Sequence, residues 1–154
     1  MRAHTIVVGY DGSSDARRAL DTAMDHVAGD GIIHVVTAFD PPNRHEVARM
    51  LDTLPAEFRD TFNVASSSHG YLQDAVRLLE LRGIDHEGHF VDDHAAPAIL
   101  DVADQVHADL IVIGTRGLGR VERFLRGSVS ARVANHARTS LMMVHHADEA
   151  AASL

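Results

Sequence analysis

The 154-residue chain has no cysteine and no lysine; all 14 of its basic residues are arginine. Without cysteine there is no disulfide framework and no thiolate metal site, and nothing in the sequence demands an oxidising compartment. Without lysine there is no Walker P-loop, whose lysine reaches the phosphates, and no Schiff-base chemistry. Long apolar runs are missing too. No stretch approaches the roughly 20 residues that span a bilayer, and no signal-like segment separates Met1 from the first strand-like run. A soluble, cytoplasmic protein without a membrane partner is expected. Positive charge is scarce: 22 acidic residues leave a formal net charge of -8, which argues against nonspecific nucleic-acid binding.

What is present fits one α/β domain over residues 1–146. Apolar runs alternate with helical periodicity, the pattern of a parallel sheet wrapped by helices. Residues 5–9 (TIVVG) read as a first strand ending at Asp11-Gly12. Ser13 or Ser14 is placed to cap a helix carrying Ala16, Ala19, Leu20, Ala23, Met24 and Val27 at helical spacing, with Gly29 and Gly31 as its stop. Residues 32–39 form a second strand. Val47, Met50, Leu51 and Leu54 suggest a helix ending near Pro55; Ser66, Ser67, Ser68 and Gly70 look like loop; Leu72, Ala75, Val76 and Leu79 suggest another helix. Residues 84–91 read as a polar edge strand, followed by a helix with Pro97 in its first turn. Residues 110–113 are continuously apolar, as a central parallel strand should be. Ser128 caps a further helix, residues 141–144 make a last strand, and 147–154 is an Ala-rich, loose tail. A receiver domain of the flavodoxin-like type resembles this layout but normally carries an essential lysine.

Chemistry concentrates in the segment GTRGLGRVERFLRGSVS, which starts at Gly114 directly after the apolar strand. Open α/β sheets bind ligands beyond the carboxyl ends of their strands. Gly114 and Gly117 allow backbone to approach a ligand. Gly127-Ser128 opens a helix whose free N–H groups favour an anion such as phosphate, and Ser128 and Ser130 add hydroxyl donors. The glycine order is not the Rossmann fingerprint, which follows the first strand. Taken singly, each glycine is as well explained by a turn or a helix end.

The full spacing is more specific. Gly114, two residues, Gly117, nine residues and Gly127-Ser128 resembles the nucleotide motif of the universal stress protein family. The resemblance extends from about His4 to His146, with VVGYDGS at 7–13 and VTAFDPP at 36–42 similar to the family's first two strands and their exits. It implies a Rossmann-like five-stranded parallel sheet in order 3-2-1-4-5, with helices on both faces. It also implies ATP, alone or with Mg, as cofactor. Gly9, Tyr10 and Asp11 would line the ribose, with Asp11 the partner of a hydroxyl or of nucleotide-bound Mg. Ala38 would meet the adenine edge through its backbone, and Ile113 and Gly114 would lie under the ribose. Gly117, Gly127, Ser128, Val129 and Ser130 would hold the phosphates. The chain departs from the family pattern at Ala95-Ala96, where a glycine is usual before the third helix, and at Thr139-Ser140, where Cys-Pro is usual.

Among other candidates, Arg116 is best placed to clamp phosphate; Arg120, Arg123 and Arg126 read as a solvated loop face. The chain has 12 histidines. His86 and His89 point to opposite faces of a strand because their spacing is odd, so no metal site is expected from them with His94, Asp92 and Asp93. His34 is expected to be a hydrogen-bonded buried histidine. No catalytic residue and no Ser/His/Asp triad is legible. Three functions remain: an ATP-binding stress-response regulator with little or no turnover; a slow ATP hydrolase or adenylate-forming relative; and an interaction module binding cyclic AMP or another adenylate. A homodimer through Leu141, Met142, Met143 and Val144 is expected, because that strand is apolar and lies at the sheet edge.

Overall fold

The alternation read from the sequence is what the chain builds. The computed structural model describes residues 2–39, 49, 52, 53, 55, 56, 64–115 and 128–145. In chain order these form β1 (Ala3–Gly9), α1 (Ser14–His26), β2 (Val27–Ala38), α2 (Val64–Leu81), β3 (Asp85–Val91), α3 (Ala95–Gln105), β4 (Leu110–Gly114), α4 (Ser128–His136) and β5 (Ser140–Val144). The strands make one parallel sheet in the order β3-β2-β1-β4-β5. The helix expected on Val47, Met50, Leu51 and Leu54, and the tail 147–154, lie outside the described residues.

Period-two alternation sends each inner strand into two cores. Ile6 and Val8 of β1, Ile33 and Val35 of β2, and Leu110 and Val112 of β4 face one side, where Ala16, Ala19, Leu20 and Ala23 of α1 and Leu72, Ala75 and Leu79 of α2 cover them. Val7, Val36, Ile111 and Ile113 face the other, under Ile99, Val102 and Ala103 of α3 and Val133 of α4. Full burial of a side chain such as Ile6, Leu20 or Ile111 contributes roughly 1.5–3 kcal/mol. The sheet is thereby fixed between two helical layers.

Three local expectations are corrected. Gly29 and Gly31 do not stop α1, which ends at His26; they lie inside β2. The β1–β2 register jumps from Ala3↔Val27 to Thr5↔Ile32, so three extra residues of β2 bulge outward there. A Cβ on Gly31 would stand 2.7 Å from the His4 carbonyl oxygen, which is why a glycine occupies the bulge. Ser66, Ser67, Ser68 and Gly70 are not loop but part of α2; the packing of Leu72, Ala75 and Leu79 outweighs weak local propensity. Ser128 is the first residue of α4 rather than a cap preceding it.

The two departures from the family pattern are accommodated. The turn into α3 closes without glycine, by an Ala98 N–H donated to the His94 carbonyl at 3.1 Å. Thr139 donates its hydroxyl to the Ala108 carbonyl at 2.8 Å, fastening the entry of β5 to that of β4.

Candidate functional site

The chain leaves β1 for β2 and β3 on one side, then returns to β4 and β5 on the other. The carboxyl ends of β1 and β4 therefore flank the topological switch point, where α/β sheets open a crevice. Val8 pairs with Val112, which sets Gly9 and Tyr10 level with Ile113 and Gly114. Gly9 pairs with Val36, so Ala38 ends β2 two residues further along the same crest.

The turn after β1 is tied by hydrogen bonds on both sides of Gly12. The Tyr10 N–H donates to the Val36 carbonyl at 2.9 Å, and the buried Thr37 hydroxyl donates to the Tyr10 carbonyl at 2.9 Å. Asp11 Oδ1 accepts the Ser13 N–H at 2.9 Å, an Asx-type turn. Gly12 has φ +78°, a conformation costly for any residue with a Cβ, and one built there would meet the Tyr71 ring at 2.5 Å. Ser13 then caps α1, its Oγ accepting the Ala16 N–H at 3.1 Å.

Tyr10 turns its phenol inward, with 6% exposure, so its backbone rather than its ring belongs to the crest. Burial pushes the phenol pKa up, against the lowering pull of the nearby Arg17 guanidinium. Tyr10, Gly12, Arg17, Tyr71, Asp74 and Arg77 line a cavity of about 310 Å³ beneath this turn. It lies on the α1–α2 side of the sheet, and its size is at the lower limit of ordinary ligand pockets.

At the end of β4, Gly114 carries the first turn of α1. A Cβ there would stand 2.7 Å from the Asp15 carbonyl carbon and 2.8 Å from its oxygen and Cβ. Glycine is thus required for close helix–strand approach, whatever else the position does. Asp15 is buried, and its Oδ2 has no hydrogen-bond partner among the described residues. Ile113 is also buried, packed in the core below α3. Thr115 donates its N–H to the Val144 carbonyl at 3.1 Å. Beyond it, Arg116, Gly117 and Gly127 lie outside the described residues. The segment returns as the first turn of α4, where Ser130 is buried and Val129 is 38% exposed.

The fold thus gathers Gly9, Tyr10, Asp11, Ala38, Ile113 and Gly114 on the carboxyl ends of β1, β2 and β4. Side chains at this crest are small, absent or turned inward, and Asp11 is the acidic group left half-exposed on it. Sequence reading missed Thr37, which pins the turn from the neighbouring strand, and Asp15, which packs on Gly114. Neither pairing is local, and no spacing rule connects them. His86 and His89 are separated as expected: His86 Nδ1 lies 2.8 Å from the Ile84 carbonyl oxygen and its Nε2 3.9 Å from Glu80, whereas His89 meets His34.

Residues 2–145 match the universal stress protein family. A universal stress protein of Mycobacterium tuberculosis is 33% identical over 144 residues, covering 92% of this chain and 95% of the relative. One of Thermus aquaticus is also 33% identical, over 91% and 97%. A crystal structure of a universal stress protein in complex with cAMP is 29% identical, covers 94% of this chain and 98% of its own, and superposes with a TM-score of 0.65. With the doubly wound sheet, the glycine-bearing crest and a match over almost its whole length, the chain belongs to the universal stress protein family.

Proposed function

We propose that this protein binds an adenine nucleotide across the carboxyl ends of β1, β2 and β4 and acts as a regulator rather than an enzyme. The observation that carries the reading is the crest itself. At the switch point the carboxyl ends of β1, β2 and β4 carry only small residues (Gly9, Ala38 and Gly114), Tyr10 points inward, and one half-exposed carboxylate, Asp11, remains beside them. The base and ribose lie over Gly9, Tyr10, Asp11, Ala38, Ile113 and Gly114. The phosphates lie on Arg116, Gly117, Gly127, Ser128, Val129 and Ser130, toward the positive end of the α4 dipole. ATP is the ligand that makes use of the whole length of this segment. Asp11 is placed to hold the Mg that accompanies ATP, an oxygen ligand of the kind that ion takes.

Little turnover is expected from such a site. In-line phosphoryl transfer needs a group that orients the attacking water and cations that neutralise developing charge. The chain has no lysine, Asp11 already accepts the Ser13 N–H, and Asp15 is buried under Gly114. A second reading, cyclic AMP as ligand, is favoured by the 29%-identical relative whose crystal structure contains it. Its single phosphate would occupy only part of the glycine segment.

Calorimetric titration of the purified protein with ATP, AMP and cyclic AMP, together with identification of any nucleotide released on denaturation, separates the readings. Tightest binding of ATP supports the first. Tightest binding of cyclic AMP supports the second, and no binding of any of them overturns both. The regulator is proposed to act as a homodimer paired through β5.

A further inference from the structure

On the α3 side of the sheet, far along the chain from the glycine segment, three side chains converge on one point. The parallel β2–β3 ladder pairs His34 with Glu87 and Val36 with His89. Residue 34 of β2 and residues 87 and 89 of β3 therefore share one face. His34 Nδ1 lies 2.9 Å from His89 Nε2 and 3.6 Å from Glu87 Oε2. One ligand atom from each residue falls within 4.8 Å of the other two.

We propose that His34, Glu87 and His89 form a binding site for a divalent transition-metal ion of the zinc class, joining β2 to the edge strand β3. The donor set is two imidazole nitrogens and one carboxylate, which zinc takes with a fourth position left to water. Two nitrogens on a tetrahedral zinc at about 2.0–2.1 Å sit about 3.3 Å apart, so the present 2.9 Å separation needs only a slight opening. A hydrogen bond between two imidazoles would account for the short contact alone. The Glu87 carboxylate, 3.6 Å from the same His34 nitrogen, stands outside that bond and brings an oxygen donor to the same point. A cation at the meeting point satisfies all three groups.

The surroundings fit the role. His34 is 5% exposed and locked in the central part of β2, which gives the site one preorganised ligand. Glu87 lies at the solvent side and His89 between the two, leaving an entry path and a position for water. β3 itself is poor in apolar residues (DHEGHFV), so a cross-strand ion would add an attachment where hydrophobic packing is thin. The sequence reading weighed only a site joining His86 and His89 with His94, Asp92 and Asp93; the site proposed here takes His34 from the neighbouring strand instead.

The test uses untagged, chelator-stripped protein titrated with zinc by calorimetry, and with cobalt to read the coordination number from its visible absorption. Wild type should bind one zinc at this site with a four-coordinate cobalt spectrum, and zinc should raise the melting temperature. His89→Gln and Glu87→Gln, both on the edge strand, should each weaken zinc by at least about tenfold and remove the cobalt bands. His86→Gln, on the opposite face of β3, should leave both unchanged. Far-UV circular dichroism of each metal-free variant shows whether it folds. Absence of stoichiometric zinc binding in wild type, or equal affinity in folded His89→Gln and Glu87→Gln, would overturn the site. So would loss of binding in folded His86→Gln.

Discussion

Two glycines three residues apart, Gly114 and Gly117, are expected to fail differently when given a side chain. Gly114→Ala puts a methyl carbon 2.7 Å from the Asp15 carbonyl carbon, a backbone neighbour that cannot rotate away. The first turn of α1 must then lift from β4, at a cost of about 1–3 kcal/mol, measurable by chemical denaturation. Gly117→Val should instead leave stability near wild type and abolish ATP binding in a calorimetric titration, because its branch would intrude where the proposed site brings phosphate to the backbone. Unchanged ATP affinity in folded Gly117→Val would take the phosphates off the segment. Tyr10 gives a second residue-level expectation. Burial raises its phenol pKa despite Arg17. The folded state therefore keeps a proton that the unfolded chain releases near about 10. This contribution to stability is complete below that pH and is lost as pH rises through the folded value. The chain has two tyrosines, so an absorbance titration should show a late tyrosinate component that Tyr10→Phe removes. Full ionisation of both at or below the ordinary value would contradict this.

At the scale of elements, the passage from β1 into α1 is a small mechanism of turn and cap. Ser13→Ala removes the acceptor of the Ala16 N–H and should lower stability by about 1 kcal/mol. An unchanged denaturation midpoint would mean that water replaces the cap. This passage was legible in the sequence because its signals are local: Asp-Gly for the turn, serine for the cap, Ala and Leu at helical spacing behind it. The sheet order came from the resemblance of the chain's motifs to a family, not from any one strand. What sequence reading missed depends on contacts between distant segments. Gly29 and Gly31 look like a helix stop until the β1–β2 register reveals a bulge against His4. Ser66 to Ser68 look like loop until α2 is seen running through them onto the core. For the candidate site, Gly114 was legible in the glycine motif, whereas Gly9 and Asp11 came only from the resemblance to the family. Thr37 and Asp15 were not legible, since each acts on a partner brought to it by the fold. His34 was recognised as buried and hydrogen-bonded, but its partners lie more than 50 residues away, where spacing rules do not reach.

For the molecule as a whole, the two sheet edges have opposite character, and this decides how copies are expected to meet. β3 ends one edge with Asp85, His86, Glu87 and His89 along it, a run of polar groups that discourages pairing with another strand. β5 ends the other with SLMMV, which carries no charge and no proline. Met143 is 45% exposed, while Leu141, Met142 and Val144 are half-buried against the two cores. An uncharged edge strand offers unpaired N–H and C=O groups to a second chain. A two-fold axis beside β5 would pair it with its own copy, antiparallel, and close the assembly as most homo-oligomers are closed. Pairing also covers Met143, giving the contact an apolar centre. We expect a homodimer at micromolar concentration by light scattering coupled to size exclusion. Met143→Lys should make it monomeric, because two like charges would then face each other near the axis. Met143 is the ladder partner of Ile113 but stands one strand outward of the proposed nucleotide crest on β1, β2 and β4. A folded monomeric variant should therefore retain ATP affinity within about a few-fold, a difference of less than about 1.4 kcal/mol. A monomeric wild type, or a Met143→Lys protein that remains fully dimeric, would show that copies of this chain do not meet through β5.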